Sequence, residues 1–437
     1  MDDIVDDVAI DGLSAPVRIG IAGTAGALRF FAVSGSRDVL AEPLFQQEVL
    51  GRLIACGRVP TRHGVIEFEA ASVLPALPWS LAARDTGSSS NCVSRLVAGA
   101  APLVHTLVHK VYRELAPGNI ELDASMRLDQ AAPGVLARCL GGYLYRGANG
   151  EQLVLGLVTE YVQGEGVYAA MSRDLRALWS GDGHQADPHL LEQLAGWRDF
   201  LGRFHDTIER TFGGGAAAPA FDLAAFCADA RARLDRLREH LHRDALLGPE
   251  TISRVARLFD QLESSCFAAG AANDLRASAC HGDLHLSHLL VQAEGTQRRL
   301  IDFSPLALTK DEARFRASSK LLDWAALERA LDYFFLDEAA LALSQHTGQD
   351  QQLAMQGLIG ASAPLVERAG QWRTQVRAAL CGPERASAAR RRFYFARLLQ
   401  ELEYNYDHQR PYYRCIDFCS LIKQFLHLPK EGTRAYR

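Results

Sequence analysis

The hydrophobic periodicity of this chain turns mainly helical from about residue 186 onward, and that change limits its fold more than any other feature. Upstream, the apolar residues follow strand patterns. Val17–Ile21 and Ala27–Val33 flank a Gly-rich turn, and Val65–Glu69 reads as a further strand. Leu153–Val158 is almost continuously apolar, as a strand buried on both faces should be. Downstream, Leu190, Leu191, Leu194, Trp197 and Leu201 recur on one helical face. Residues 221–268 read as a helical pair, and 386–425 as helix broken at Pro411. The expectation is an α+β protein: a β-rich head, a small α/β lobe and a large helical lobe.

Length and composition narrow the class. A chain of 437 residues accommodates two or three domains. The polar stretch Arg84–Asn91 is the best early boundary. A net charge of −5 gives no reason to expect a nucleic-acid or membrane-surface partner. No apolar run approaches the ~20 residues that span a bilayer. The acidic start, Asp2-Asp3-Ile4-Val5-Asp6-Asp7, is unlike a secretory signal. Nine cysteines without paired spacing fit reduced thiols, so a cytoplasmic protein is expected. Gly20, Gly23 and Gly26 lack the spacing of a dinucleotide loop and precede a strand rather than a helix, so they read as a hairpin turn.

Chemistry concentrates in His281-Gly282-Asp283-Leu284-His285-Leu286-Ser287-His288-Leu289-Leu290 and in the following Arg299-Leu300-Ile301-Asp302-Phe303. Two acids near strand ends, with a polar residue five after the first, form a layout for phosphoryl transfer. One acid can accept a proton from an attacking hydroxyl. The second, with the residue at plus five, can hold Mg²⁺ against nucleotide phosphates.

The spacing resembles the catalytic loop of the aminoglycoside-phosphotransferase-like, or eukaryotic-like, small-molecule kinases. That resemblance implies a bilobal protein-kinase-like fold that binds ATP and Mg²⁺. Carried over, Asp283 is the catalytic base, Asp302 the principal metal ligand, and His281 a brace for the loop. The same resemblance gives roles to other residues. Lys110, in the strand Leu107–Arg113, would neutralise phosphate charge, and Glu121 would pair with it. An isolated Lys–Glu pair is more often a solvated surface pair. Ser90 and Asn91 would lie in the turn over the phosphates. Glu160 and Val162 would offer backbone groups to the adenine edge at a hinge.

The wider string is closer still to the maltokinases and the related actinobacterial glucosamine kinases. Tyr112–Glu121, Asp323-Trp324-Ala325, Arg329-Ala330-Leu331-Asp332-Tyr333 and Arg410-Pro411 resemble segments of that group. It implies an N-terminal cap at 1–84, a kinase N-lobe at 85–165 and a helical C-lobe at 166–437. Three positions depart from the maltokinase pattern. His288 stands for Gln, Ser304 follows Asp302-Phe303 where Glu is usual, and the acidic helix around Glu401 is offset by about one residue. His288 would be a weak ligand of a second metal, a phosphate contact, or a packed loop histidine.

A sugar acceptor needs hydrogen-bond acceptors and flat rings. Asp332, Tyr333, Glu401, Glu403 and Tyr404 supply that mix, and their acidity suits an amino sugar. The expected function is an ATP-dependent sugar kinase acting on glucosamine or a maltose-like sugar. The alternatives are a kinase of an aminoglycoside or other secondary metabolite, and a nucleotide-binding pseudokinase, which His288 and Ser304 would favour.

Overall fold

The computed structural model describes residues 3–10, 17–24, 27–85, 91–100, 103–181, 183–213, 218–244, 246–268, 274–292, 297–304, 312–360, 364–382 and 388–426. They form two compact units. The first holds the described residues up to Gly164 with Arg210–Phe212 and Leu290–Arg316, and the second holds the rest.

The first unit is built mainly of strands. In chain order it contains β1 (Asp3–Ile10), β2 (Val17–Thr24), β3 (Ala27–Ser34), β4 (Arg37–Asp38), α1 (Pro43–Ile54), β5 (Arg58–Pro60), β6 (Gly64–Ala70) and β7 (Trp79–Asp85). It continues through β8 (Cys92–Ala100), β9 (Leu103–Val111), β10 (Glu114–Leu115), α2 (Glu121–Ala131), β11 (Cys139–Gly147) and β12 (Gln152–Glu160). One sheet runs β1-β2-β3-β10, with β4 paired to β3. A seven-stranded antiparallel sheet runs β5-β6-β11-β12-β9-β8-β7.

β2 and β3 pair as the expected hairpin, with Thr24 opposite Ala27. In β8 the buried residues alternate (Cys92, Ser94, Leu96, Ala98), the mark of a strand with one face on the core. β12 instead buries Leu153 through Val158 without a break, as its central place in the sheet requires. β7 and β8, which flank the sequence boundary near residue 84, are partners in this sheet. Phe30, Phe45, Leu53, Leu107, Tyr143 and Leu155 lie in the shared core.

The chain passes through β13 (Gly164–Gly166) to the helices α3 (Val167–Ser180), α4 (Pro188–Phe212), α5 (Leu223–Leu241) and α6 (Pro249–Ser265). It returns to the first unit for β14 (Leu289–Gln292), β15 (Arg298–Leu300) and α7 (Glu312–Arg316). It ends with α8 (Leu321–Thr347), α9 (Gln351–Gly360), α10 (Pro364–Arg368), α11 (Gly370–Cys381), α12 (Ala388–Asp407) and α13 (Pro411–Leu426). Asp187 and Asp222 cap α4 and α5 by accepting the N–H groups of His189 and Ala225. Pro411 opens α13, where its missing N–H costs nothing.

The 27-residue α8 is the axis of the second unit. It packs against α9, α11, α12 and α13 and is buried on nearly every face, which is why no single apolar stripe marks it. None of the nine cysteines is joined in a disulfide. Among the described residues no helix is long and apolar enough to cross a membrane.

Candidate functional site

In the first unit, Lys110 projects from β9 near its end. Two residues later the chain leaves the strand, turns through Pro117-Gly118 with Gly118 at φ +77°, and starts α2. Asn119 accepts the N–H of Glu121 through its side chain at 2.9 Å, which fixes the first residue of the helix. The result is direct: Lys110 Nζ donates to Glu121 Oε1 at 2.9 Å and to Asp302 Oδ1 at 2.8 Å.

Asp302 reaches this position because the residues before it are pinned. Leu300 N–H donates to the Val135 carbonyl at 2.9 Å, and the Leu300 carbonyl accepts the Ala137 N–H at 2.8 Å. After it, buried Phe303 packs against Phe315, which packs on Phe212. Between these anchors Asp302 adopts φ +52°, a left-handed conformation uncommon for a residue with a Cβ. Its side chain is 47% exposed, whereas that of Glu121 is 1% exposed.

Burial on its own would depress the Lys110 pKa. The carboxylates of Glu121 and Asp302 more than reverse this, so the ammonium stays charged. Burial, opposed by Lys110 and reinforced by the charge of Asp302, raises the Glu121 carboxyl above its ordinary value.

Asn91, half-buried, lies just before β8; Ser90 falls outside the described residues. Glu160 ends β12 with its N–H on the Arg138 carbonyl, and its carboxylate accepts the Arg138 N–H at 3.0 Å. Val162 is buried two residues on.

The second unit carries the His-Gly-Asp loop. Leu284, Leu286 and Leu289 are buried anchors, while Asp283, His285 and Ser287 turn outward between them. Gly282 takes φ +96°, which a side chain would resist. The loop is gripped from α8. Asp323 Oδ2 accepts the His281 N–H at 2.7 Å and Oδ1 accepts the Gly282 N–H at 2.9 Å. His205 on α4 shares Asp323 Oδ2 at 2.8 Å. Asp283 itself accepts from Arg397 Nη2 on α12 at 3.0 Å. Burial pushes the Asp283 carboxyl up, but Arg397, His285 and His288 together hold it below its ordinary value, so it is ionised at neutral pH.

His288 ends a short 3₁₀ turn, Leu286–His288. It is 5% exposed, with its ring against those of His285 and His281. These surroundings fit the packed loop histidine.

Of the expected acceptor residues, Asp332, Tyr333 and Glu401 meet around Arg329, while Glu403 and Tyr404 have other neighbours. Asp332 is 1% exposed; Arg373 and Arg377 donate to Oδ1, and Tyr394 donates to Oδ2. It works as a strut between helices. Tyr333 donates its hydroxyl to Asp417 at 2.9 Å. Glu403 pairs with Arg233 and Arg236 of α5. Glu401 bridges Arg397 and Arg329. Tyr404 is exposed, stacks on His408, and carries Arg410 over its ring.

Sequence reasoning missed Arg397 and gave no role to His205 or Asp323. Asp323 lies in Asp323-Trp324-Ala325, one of the segments that carry the resemblance, and Arg397 stands four residues before Glu401 on one helix face. Those were the only signals for them.

A model of the phosphotransferase enzyme family matches residues 84–309, just over half of the chain. No curated protein matches its sequence significantly. Among solved structures, a glucosamine kinase in complex with glucosamine, ADP and inorganic phosphate superposes with a TM-score of 0.62 at 17% identity, covering 96% of this chain and 95% of that chain. A glucosamine kinase in crystal form A gives 0.57 at 16% identity, over 96% of this chain and 94% of that one. At such identities the likeness establishes the fold, a mixed α+β protein-kinase-like fold with a β-rich N-terminal region followed by a helical lobe.

Proposed function

This chain belongs to the phosphotransferase enzyme family, and we propose that within it the protein is an ATP-dependent kinase of a sugar hydroxyl. The observation that carries this reading is the placement of Lys110 between a buried and an exposed carboxylate. A structural ion pair needs only Glu121. The second, solvent-facing acid leaves a cation and an anion ready for a charged ligand.

In this reading Lys110, oriented by Glu121, neutralises phosphate charge of ATP. Asp302 offers hard carboxylate oxygen, which suits Mg²⁺; the packed imidazole of His288 does not. Among the described residues no group of three or more His, Cys, Asp or Glu side chains is arranged to hold a metal ion; Asp302 is the side chain that would hold it. Bound Mg²⁺ would supply neutralisation of phosphate charge. Asp283, ionised, accepts the proton of the acceptor hydroxyl as its oxygen attacks the terminal phosphorus, and the bond to ADP breaks. Ser90, Asn91, Glu160 and Val162 keep their proposed places around the nucleotide.

The acceptor is proposed to be glucosamine or a similar amino sugar. This rests on the glucosamine kinase likeness. Asp332, Tyr333 and Glu403 support the helices on which they lie. Residues 1–84 act as a cap joined to the lobe 85–165 through the sheet they share.

The test is an ADP-release assay with Mg-ATP over glucosamine, maltose, glucose and an aminoglycoside panel. Turnover on glucosamine, lost in Asp283→Asn, supports the reading. Mg-ATP binding without turnover on any acceptor would leave a pseudokinase. Undiminished turnover by Asp283→Asn would overturn the assignment of the base.

A further inference from the structure

Asp283 is tied into the body of its unit through a single guanidinium. Arg397 uses two edges of that plane: Nη2 donates to Asp283 Oδ1 at 3.0 Å, and Nε donates to Glu401 Oε1 at 2.8 Å. The other oxygen of Glu401 accepts Arg329 Nε at 2.9 Å. Arg329 has no exposed surface and is fixed further by Asp417 at 2.7 Å and by the Tyr394 hydroxyl at 3.2 Å. A continuous run of charge-assisted bonds therefore links the outward-turned Asp283 to the packed centre of α8, α12 and α13.

We propose that Arg397, locked by Glu401 and Arg329, is a positioning residue that pins one oxygen of Asp283 and leaves the other to receive the acceptor proton. The inference rests on the reading of Asp283 as the base. An ordinary surface pair holds two mobile side chains and contributes little. Here the arginine is mostly buried, its second bond is made to its own helix one turn on, and that partner is held from the core. Such a guanidinium has little freedom left to lose when it orients a carboxylate.

The same contact sets the charge state of the base. The groups facing Asp283 are Arg397, His285 and His288, set against its burial. Arg397 is the first of the charges that oppose that burial, so removing it moves the carboxyl upward.

The test titrates the Asp283 carboxyl by NMR in protein labelled with ¹³C at aspartate, its resonance identified by its loss in Asp283→Asn. This needs no acceptor. Arg397→Gln should move the midpoint upward by one pH unit or more. It should also lower kcat roughly 10–100-fold on the best sugar of the panel, with KM for ATP little changed. Arg397→Lys should restore the midpoint but only part of kcat, because the charge returns without the fork. If Arg397→Gln does not fold by circular dichroism, Glu401→Gln frees the arginine and should shift both quantities in the same direction. An unmoved midpoint, or kcat within twofold of wild type in the folded variant, overturns the proposal. Its failure is distinct from failure of the proposed function: in that case Asp283→Asn itself would remain active.

Discussion

The carboxylate of Asp323 accepts the backbone N–H of Gly282 at 2.9 Å, so the shape of the loop that presents Asp283 is dictated from the first turn of α8. The same side chain takes the His281 N–H and His205, and it is fully buried. Two loop amides that would otherwise be orphaned depend on one residue.

Asp323→Ala should therefore destabilise the protein by about 2–4 kcal/mol, the cost of stranding buried donors, read by urea or thermal unfolding. The pH dependence has a definite sign. Burial raises the Asp323 carboxyl, but His205, His281 and the loop amides hold it below its ordinary value. Its contribution is present above the unfolded pKa of about 3.9 and is lost as pH falls through the lower folded value. Wild type should lose stability over that acidic window more steeply than Asp323→Ala.

Gly282→Ala tests the loop backbone. At φ +96° an added Cβ is strained by roughly 1–2 kcal/mol. Stability should fall by about that much. Turnover should fall further than stability predicts, because the loop can relieve the strain only by moving the neighbouring Asp283.

Much of this organisation can be read from the sequence because it is local. The unbroken run Leu153–Val158, the helical pair within 221–268, the break at Pro411 and the His-Gly-Asp spacing are each set by neighbours in the chain. Lys110 and Glu121 were legible through the family resemblance, and their meeting is local too: a strand end, a Pro-Gly turn and a helix start span the ten residues between them. What escapes is the choice of distant partners. Asp332 reads as an exposed acid beside a tyrosine until α11 brings Arg373 and Arg377 against it. Glu403 likewise meets arginines of α5 more than 160 residues away. Periodicity says which face of a helix is buried, not which charge waits there.

The Lys110 cluster separates a structural role from a functional one. Lys110→Met strands Glu121 in a dry site, where burial already raises its pKa. A loss of about 3–5 kcal/mol is expected from breaking such a buried pair, read from denaturation midpoints. Lys110→Met with Glu121→Leu should recover most of that stability, since an apolar pair can replace a buried ion pair. Neither variant should show the thermal shift that Mg-ATP gives wild type. A double variant that is stable and still binds Mg-ATP would remove Lys110 from the nucleotide site.

Asp417 provides the opposite pH response. It shares Arg329 with Glu401, and Tyr333 and Asn405 donate to it at 2.9 Å each. Burial, together with the charge of Glu401, pushes its carboxyl up to about 7 against the pull of Arg329. Arg329 divides its charge between Asp417 and Glu401, and its pull on the fully buried Asp417 is outweighed by that burial, so the proton is retained well above the ordinary range. For a raised acid the contribution to stability is complete below the unfolded pKa near 3.9 and is lost as pH rises through 7. Asp417→Asn keeps the shape and most hydrogen bonds without the titration. Its unfolding free energy should change less between pH 5 and pH 8 than that of wild type, and at pH 8 the variant should match or exceed wild type. A wild-type pH profile that is flat across this range would show that Asp417 is ionised throughout, with Arg329 carrying both charges.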